Sequence, residues 1–329
     1  MGGMRRRLGV MIGLAALVAV GCGGAGELGT AGWPNRPITM LVAFGAGGGT
    51  DANARIVSGL LERELGQPVN VVNRTGGGGV VGHTAIANAE PDGYTLGYVV
   101  AEVAMMHWAG LTDLTFEAFT PLAMLTGTPG AVFVRSDAPW ESIDDVLDEI
   151  DRGAEILQAS GSGQGGIWHV TLAGVLRSLA RDPGAVTWVP HQGAAPALAD
   201  LAAGGVDLVV SAPAEARGLV DAGRIRPLVV IDTERHRLWP DVPTLAEATG
   251  SDWNALAWGG VAGPAGLPAD VVATLQATLG GIARSEEFIE LIERRGTGAI
   301  YRDAGGFREY MAASDASFGQ AMAAVGLVP

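Results

Sequence analysis

The sequence predicts an α/β protein with two lobes, each built on a mostly parallel sheet flanked by helices. Short apolar strands alternate with amphipathic helices, this alternation recurs in the middle of the chain, and glycine-rich loops follow strands in both halves. At 329 residues the chain is long enough for two domains. Because ligands of parallel sheets bind at the carboxyl ends of the strands, we expect the glycine loops to face each other across a cleft.

The first βαβαβ unit lies near the amino terminus. Its first helix carries Ile56, Leu60 and Leu65 on one apolar stripe. The predicted strands are residues 38–44, 69–73 and 94–100. Glycine loops over residues 45–49 and 73–79 follow the first two strands, and helices over residues 51–65 and 80–89 follow these loops. This order is typical of parallel strands joined by right-handed crossovers.

A similar unit recurs in the middle of the chain, and amphipathic helices follow near its end. In the middle unit the predicted strands are residues 156–160, 186–190 and 206–211. A glycine loop over residues 161–166 and a helix around residues 168–175 follow the first strand, and a loop over residues 191–193 and a helix around residues 198–201 follow the second. The later helices are predicted over residues 269–283, 286–294 and 307–324, and we expect them to pack on the first lobe.

The loop over residues 45–49 is a candidate anion site. Glycines let the backbone turn sharply and leave amides uncovered, while the first turn of a helix has N–H groups without an internal partner. Together with the positive end of the helix dipole, these amides can receive an anion or a polar oxygen. The alternative interpretation is a tight turn in which Thr50 or Asp51 caps the helix.

Composition excludes several function classes. The formal net charge is −14, and all 21 basic residues are Arg, because the sequence contains no Lys. Without Lys there is neither a Schiff base nor a P-loop nucleotide site. An acidic surface offers no electrostatic footprint for nucleic acid, so no nucleic-acid partner is predicted.

Catalytic motifs are also missing. The loop over residues 161–166 matches the glycine pattern of dinucleotide sites, but the next strand ends at His191-Gln192, where such a site needs an acid. Ser162 lies outside the Gly-x-Ser-x-Gly pattern of hydrolases. The five His residues show no i, i+4 pair and no nearby cysteine. We therefore predict no enzyme, no catalytic residue, no cofactor and no metal site.

The amino terminus has the pattern of an exported lipoprotein. Arg5-Arg6-Arg7 precede an apolar stretch over residues 8–20 that is too short to span a bilayer. The segment Ala19-Val20-Gly21-Cys22 is similar to a bacterial lipobox, which predicts cleavage before Cys22 and lipidation of its sulfur. The alternative is a cleaved signal peptide with an incidental cysteine. We expect a signal peptide over residues 1–21 and a flexible tether over residues 22–32.

An ordered set of motifs resembles the Bug-type, TctC-like solute-binding proteins of tripartite tricarboxylate transporters. The resemblance runs from Trp33 to about the carboxyl terminus, and its specificity lies in the order of the pieces. The motifs are WPNRPITMLVAFGAGGGTDANAR, VVNRTGGGGVVG, PDGYTL, GSGQGGIWHV, VPHQGAAPALADLAAGGVD, the stretch over residues 222–230, WPDVPTLAEA and GPAGLP.

The resemblance implies a two-lobed periplasmic-binding-protein fold that closes on a small organic carboxylate. It implies delivery of this ligand to the small and large membrane subunits of a tripartite tricarboxylate-type permease. The chain is expected to cross between lobes near residues 127–130 and 231–233, giving a first lobe of residues 33–128 and 232–329 and a second lobe of residues 129–231. The alternatives are a binding protein that feeds a sensor system and an exported enzyme.

The resemblance also implies a location and an assembly state. We expect an exported monomer that faces the periplasm or the cell exterior and touches the membrane only through its lipid anchor.

The implied ligand site joins loops from both lobes. Its predicted residues are Phe44, Ala46, Gly47, Gly48, Gly49, Thr50, Asp51, Gly161, Ser162, Gly163, Gln164, Gly165, His191, Gly193, Ala194 and Asp207. For His191 and for His169, a ligand contact and a packing role both stay open.

Two acids depart from the family pattern. Glu102 stands where many relatives carry small hydroxyl residues, and Glu215 follows the strand after Asp207. An acid near the cleft would repel a second carboxylate, which favours a ligand with an ammonium or hydroxyl group. Glu102 therefore joins the candidate ligand-binding residues, with a solvated loop acid as the alternative.

Uncharged donors are expected to hold the charge of the ligand. The candidates are the amides of residues 46–50, the hydroxyl of Thr50, and the amides and hydroxyl of residues 161–166. Hydrogen bonds to a charged group are worth about 1.5–3 kcal/mol each, so three donors suffice to orient a carboxylate. Asp51 is expected to cap the helix, and neither Arg55 nor Arg74 is assigned to the ligand. A β-branched side chain at Gly48 is expected to abolish binding, because it disfavours the left-handed backbone that a glycine loop can need and covers the amides.

Overall fold

The computed structural model describes residues 32–153, 156–191 and 193–329. The predicted signal peptide, Cys22 and the tether before Gly32 lie outside the described residues. The strands are β1 (Ile38–Val42), β2 (Val69–Asn73), β3 (Thr95–Val100), β4 (Phe119–Arg135), β5 (Leu157–Ser160), β6 (Val186–Trp188), β7 (Leu208–Ser211), β8 (Ile225–Ile231), β9 (Leu256–Pro264) and β10 (Gly298–Asp303). The α-helices are α1 (Gly49–Leu65), α2 (Val80–Ala87), α3 (Ile143–Arg152), α4 (Ile167–Ser178), α5 (Ala194–Ala203), α6 (Pro213–Asp221), α7 (Leu245–Thr249), α8 (Ala269–Ala283), α9 (Glu286–Glu293) and α10 (Ala304–Ala324).

The described strands form one mixed sheet in the order β2-β1-β3-β9-β4-β7-β5-β6, with β8 and β10 also paired to β4. The pairs of β1 with β2 and β3, and of β5 with β6 and β7, are parallel. Strands β4 and β9 make antiparallel pairs at the centre. The predicted α/β fold is confirmed, and its parallel parts are the two βαβ units that the sequence indicated.

Strand β4 passes through both parts of the sheet. Its pairing with β9 ends at Pro129 opposite Leu256, and its pairing with β8 begins at Gly130 opposite Ile231. We call the strands β1, β2, β3, β9, β10 and the start of β4 the first sheet half, and the end of β4 with β5–β8 the second sheet half. The glycine loops after β1 and β5 thus belong to different halves.

The two halves share part of their apolar core. Val170 and Ala173 of α4 lie in one buried cluster with Phe318 and Met322 of α10. Helix α4 follows the glycine loop of the second half, whereas α10 packs on the first half. The contact therefore fixes the position of α4 against the first sheet half.

The segment between β8 and β9 packs on the second half. Trp239 and Val242 pack against the cluster that contains Phe133, and Leu245 is buried in the cluster of α3 and α4. These contacts favour a lobe boundary close to Ala255 rather than at residue 232.

Helix α1 shows how glycines set the boundaries of an element. Gly48 is its N-cap in extended conformation, and Gly66 ends it in the left-handed region at φ 66°, donating its N–H to the carbonyl oxygen of Glu62. The side chains of Val57, Leu60 and Leu61 are buried in the core of the first half. The helix thus begins two residues before the predicted start, directly after the loop.

No α-helix in the part of the chain that the structure describes is both long and apolar enough to cross a membrane.

Candidate ligand-binding site

The loop after β1 forms a tight turn. The N–H of Gly48 donates to the carbonyl oxygen of Gly45 at 3.3 Å. Gly47 has φ 84°, whereas Gly48 has φ −72°. The left-handed residue of this glycine loop is therefore Gly47, and Gly48 has a backbone conformation that other residues also adopt.

Asp51 fastens this loop and does not act as the N-cap. Its carboxylate accepts hydrogen bonds from the N–H of Gly47 at 2.8 Å, from Nε of Arg55 at 2.9 Å and from the side-chain amide of Asn73 at 2.8 Å. The bond from Arg55 is the main reason that the pKa of Asp51 falls to about 2, against the opposing effect of burial. Its oxygens are thus engaged within the protein, and so is the guanidinium of Arg55.

The amides at the start of α1 are left for a ligand. The first internal hydrogen bond of the helix runs from the N–H of Ala52 to Gly48. The N–H groups of Gly49 and Thr50 have no acceptor among the described residues, as expected for the first turn of a helix. They lie at the positive end of a 17-residue helix.

The second glycine loop leads to a similar helix start. Gly166 is the N-cap of α4, and the first internal bond runs from the N–H of Val170 to Gly166 at 3.1 Å. The loop needs glycine at position 161, because an added Cβ would collide with the carbonyl oxygen of Val210. Residues Ile167 and Trp168 therefore present the positive end of α4.

The two helix starts meet at adjoining cavities. A cavity of about 110 Å³, the central cavity, is lined by Thr50, Asn53, Tyr98, Val100, Ala101, Glu102, Thr126, Thr128, Ile167, Ala257, Trp258, Gly259 and Thr297. A cavity of about 250 Å³, the outer cavity, shares Thr50, Asn53, Thr128, Ala257 and Thr297 with it and is also lined by Gly49, Trp168, Ala212, Ala214, Glu215, Arg295 and Gly296. Both cavities thus contain residues from the first turns of α1 and α4, as a cleft between two glycine loops requires.

Buried polar atoms point to a ligand in the central cavity. The side-chain oxygen of Asn53 and Nε1 of Trp258 are buried and have no hydrogen-bond partner among the described residues. Asn53 is 7% exposed and Trp258 is 1% exposed. Because an unpaired buried polar group costs free energy, a bound polar molecule at this place would stabilise both.

A third cavity is apolar. It measures about 400 Å³ and is lined by Phe44, Gly78, Glu102, Met105, Met106, Ala109, Leu111, Gln164, Gly165, Gly166, Met322 and Leu327. Glu102 lines both this apolar cavity and the central cavity.

Charged groups lie at both ends of the cleft. Burial raises the pKa of Glu102, and it also raises the pKa of Glu215 in the outer cavity, although the N–H of Ala212 partly offsets the latter shift. Arg295 lines the outer cavity and makes no salt bridge with any described acid. At the outer cavity, Arg295 can therefore add its positive charge to the positive ends of the two helices.

The structure brings six of the predicted site residues to these three cavities: Phe44, Gly49, Thr50, Glu102, Gln164 and Gly165. The other predicted residues shape the loops or lie elsewhere, since none of the three cavities is lined by Ala46, Gly47, Gly48, Asp51, Gly161, Ser162, Gly163, His191, Gly193, Ala194 or Asp207. Arg74 is exposed and does not line them either.

His191 is engaged within the second half. The Ser160 hydroxyl donates to the carbonyl oxygen of Val189 at 2.6 Å and so accepts from Nδ1 of His191 at 2.7 Å. The other ring nitrogen lies 3.4 Å from the Asp200 carboxylate. Gly193 is the N-cap of the following helix α5, with φ 114°, and Ala194 is buried. These contacts favour a packing role for His191.

Asp207 lies at the edge of the sheet opposite to the loop over residues 161–166. It precedes β7, and its carboxylate accepts the N–H of Gln158 at 2.8 Å. Because β5 and β7 are parallel, the amino ends of both strands are at this edge. The structure gives no support for a ligand contact by Asp207.

His169 supports the second loop. Its Nδ1 accepts the N–H of Gly165 at 3.1 Å, and its ring stacks on Trp188 with centroids 4.6 Å apart. Burial lowers the pKa of His169 to about 4. These contacts favour a role of His169 in packing and loop support.

Several lining residues were not identified from the sequence. Asn53 lies one helical turn after Thr50, so its spacing was the one local signal available. Thr128, Trp258 and Arg295 come from β4, β9 and the turn before β10, which only tertiary folding brings together.

Comparisons with known proteins agree with this architecture. The family described as the tripartite tricarboxylate transporter family receptor, TctC, matches residues 53–327. A UPF0065 protein from the tcbD-tcbE intergenic region of Pseudomonas sp. strain P51 is 33% identical over 286 residues, which cover 85% of this chain and 82% of that protein. Protein BugT of Bordetella pertussis is 29% identical over 272 residues, covering 80% and 81% of the two chains.

Solved structures share the fold over nearly their whole length. A ligand-free TctC solute-binding protein from Polaromonas has a TM-score of 0.78 and 29% identity, covering 88% of this chain and 99% of that one. The R. palustris protein Rpa4515 with adipate has a TM-score of 0.73 and 26% identity, covering 91% and 100%. MatC from Rhodopseudomonas palustris with bound malate has a TM-score of 0.69 and 27% identity, covering 88% and 99%.

These matches are to solute-binding receptors, not to enzymes, which confirms the prediction that the chain is not an enzyme. The chain therefore belongs to the TctC family of tripartite tricarboxylate transporter receptors, and its resemblance to Bug-type solute-binding proteins is confirmed.

Proposed function

We propose that this protein is an extracytoplasmic receptor that captures a small carboxylate in the central cavity and delivers it to a tripartite tricarboxylate-type permease. Membership of the receptor family supports the transport role. Adipate and malate in two solved relatives support a carboxylate ligand.

One observation carries the assignment of the site. The first turns of α1 and α4, from the two sheet halves, line the same cavities through Thr50 on one side and Ile167 and Trp168 on the other. Free N–H groups and the positive ends of two helix dipoles attract an anion at this point. The orphaned Nε1 of Trp258 supplies a further donor in the same cavity.

The proposal uses donors that carry no charge. Arg55 is bound to Asp51, and the carboxylate of Asp51 in turn holds the N–H of Gly47. The remaining donors are the amides of Gly49 and Thr50 with the Thr50 hydroxyl, and the amides at the start of α4. Three or four hydrogen bonds of about 1.5–3 kcal/mol each are enough to hold a carboxylate without a salt bridge.

Thermal shift measures binding directly. Protein expressed from the full sequence is heated with malate, adipate, citrate, acetate, hexanoate or benzoate. A ligand that binds only the folded state at about 100 times its Kd adds about 2.7 kcal/mol to the free energy of unfolding. A rise in melting temperature with at least one of these compounds is expected, and no rise with any of them contradicts a carboxylate receptor.

A matched pair of variants locates the site. Gly49→Leu adds a side chain to the first turn of α1 at the outer cavity, whereas Gly59→Leu makes the same change on the exposed face of the same helix. An added Cβ meets no atom within 4 Å at either glycine. Loss of the ligand-induced shift in Gly49→Leu alone supports the site, and equal shifts in both variants contradict it.

The membrane anchor belongs to the same proposal. Lipidation of Cys22 would keep the receptor at the membrane, because acyl chains supply the affinity. Cys22→Ser is expected to move the protein to the soluble fraction or to block its processing. If the wild-type protein is found wholly in the soluble fraction, the lipid anchor is contradicted, but the proposed ligand site is not affected.

A further inference from the structure

The apolar cavity borders the central cavity at Glu102, which lines both. Phe44 from the first glycine loop and Gln164 to Gly166 from the second line it together, so it belongs to the same cleft. Its remaining lining is almost entirely apolar, with Met105, Met106 and Met322 among its residues. Methionine side chains adapt to apolar ligands of differing shape.

The size of the cavity fits the body of an organic acid. It measures about 400 Å³, whereas an apolar cavity of about 150 Å³ already holds benzene. The central cavity, at about 110 Å³, is large enough for a carboxylate but leaves little space for the rest of a molecule.

Glu102 lies at the junction of the two cavities. Its carboxyl group makes no salt bridge with any described Arg or His side chain. Burial raises the pKa of Glu102, because removal from water disfavours a carboxylate at this place, and the same desolvation acts on a carboxylate of the ligand that enters there. A second carboxylate that passed this point would meet an acid on one side and methionines on the other.

We infer that the ligand is a monocarboxylate with an aryl or alkyl body, that this body occupies the apolar cavity, and that Glu102 excludes dicarboxylates. This inference rests on the proposed carboxylate site, because it takes the position of the first carboxylate from it. A hydroxyl or amine on the body is compatible with Glu102, which can accept a hydrogen bond at the junction.

Hexanoate and adipate form a matched pair of probes. They have the same number of carbons and one carboxylate in common, and they differ only in whether the far end is a methyl group or a second carboxylate. Calorimetry on protein expressed from the full sequence is expected to give hexanoate at least about tenfold higher affinity than adipate at neutral pH, since both charge repulsion and lost apolar burial act against adipate. Equal affinities, or tighter binding of adipate, overturn the inference.

Two variants separate the contributions. Glu102→Gln keeps the size of the side chain and removes its ability to ionise next to a second carboxylate, and it is expected to raise adipate affinity about fivefold or more while changing hexanoate affinity by less than about twofold. Leu111→Ser shortens an apolar wall that is 57% exposed, and it is expected to lower hexanoate affinity about threefold to tenfold. Ile156→Ser, at a side chain 71% exposed and outside the cavity, is the control and should change neither affinity.

The outcomes distinguish this inference from the proposed function. If adipate or malate binds and hexanoate does not, the carboxylate site stands and the apolar body is refuted. If wild-type protein binds hexanoate more tightly than adipate but Leu111→Ser and Ile156→Ser have the same hexanoate affinity, the body of the ligand lies outside the apolar cavity and the inference fails. If neither hexanoate, adipate nor malate binds, both the proposed function and this inference are refuted.

Discussion

The side-chain amide of Asn73 donates a hydrogen bond to the carboxylate of Asp51 at 2.8 Å. The same amide donates to the carbonyl oxygen of Phe44, also at 2.8 Å. Asn73 ends β2, next to the second glycine corner, whereas Phe44 and Asp51 flank the first. The end of β2 therefore holds the glycine loop after β1 in place.

Asp51→Asn tests how much the hydrogen bonds to the carboxylate of Asp51 stabilise the protein. The change removes the charge that holds Arg55 and weakens the bond to the N–H of Gly47, so a loss of about 1–3 kcal/mol in the free energy of unfolding is expected. Because the pKa of Asp51 is lowered from 3.8 to about 2 in the folded state, this stabilisation is present above pH 3.8 and disappears as the pH falls through about 2. Urea unfolding at neutral and acid pH measures it.

Asp221→Asn is the control for that experiment. Asp221 and Arg217 form an ion pair at 3.4 Å in which both side chains are more than half exposed, so a loss below about 1 kcal/mol is expected. Equal losses in the two variants would show that Asp51 contributes no more than a surface pair.

The turn itself is tested by two neighbouring glycines. Gly47→Ala forces a side chain into the left-handed region at φ 84°, whereas Gly48→Ala, at φ −72°, places a Cβ 3.4 Å from the nearest atom. We expect Gly47→Ala to destabilise the protein by about 1 kcal/mol and to weaken carboxylate binding, with little effect of Gly48→Ala. Thermal unfolding and calorimetry compare them, and the reverse ranking contradicts this turn geometry.

Asn53→Leu should change stability and binding in opposite directions. In the free protein the side-chain oxygen of Asn53 is buried without a partner, so its removal should leave the free energy of unfolding unchanged or raise it. An ionised carboxylate cannot donate to this oxygen, whereas a ligand hydroxyl can, so the affinity for a hydroxycarboxylate should fall by about 1–2 kcal/mol. A variant that loses stability but keeps its affinity would show that Asn53 serves the fold alone.

His169 gives the protein a measurable dependence on pH. The folded state binds its proton only near pH 4, whereas a histidine in the unfolded chain binds it near 6.5. Protonation therefore favours unfolding, and the free energy of unfolding should fall as the pH drops from 6.5 to 4, by up to about 1.4 kcal/mol per pH unit for this residue.

His169→Phe keeps an aromatic ring against Trp188 and removes the titration. Its stability curve should be flatter than that of the wild type over the same range. His83, whose pKa burial lowers to about 4, should keep part of the slope. Parallel curves for wild type and variant would mean that His169 does not titrate in this way.

The sequence was sufficient for the parts of the fold that depend on local patterns. Strand β1, its glycine loop and α1 follow one another within two residues of the predicted bounds, because apolar runs and glycines mark them. The central strand β9 was not predicted. Its Gly259 and Gly260 reduce its strand propensity, yet an added Cβ at Gly259 would lie 2.7 Å from Tyr98 and one at Gly260 would collide with the backbone of Ala123. Close strand packing, which no local pattern expresses, selects these glycines.

The site was predictable to a similar extent. Glycine loops indicated where two helix starts would meet, and Glu102 was singled out because it departs from the family pattern. The partners of Asp51 and His191 depend on which side chains the fold brings near them, so their engagement within the protein had no signal in the sequence. Trp258 had no signal in the sequence either, because it lies on the unpredicted strand β9 and its buried Nε1, which has no hydrogen-bond partner among the described residues, depends on the position of that strand.

The route of the chain through the sheet has a kinetic consequence. Every strand of the second sheet half comes from one continuous stretch, from Gly130 to Ile231, so this half can assemble from contacts that are close in sequence. Strand β3, in contrast, pairs with β9, which follows that entire stretch in the chain. Since pairings distant in sequence form slowly, a nascent chain should complete the second half while β3 still exposes an unpaired edge, and this edge is where premature association between molecules would begin.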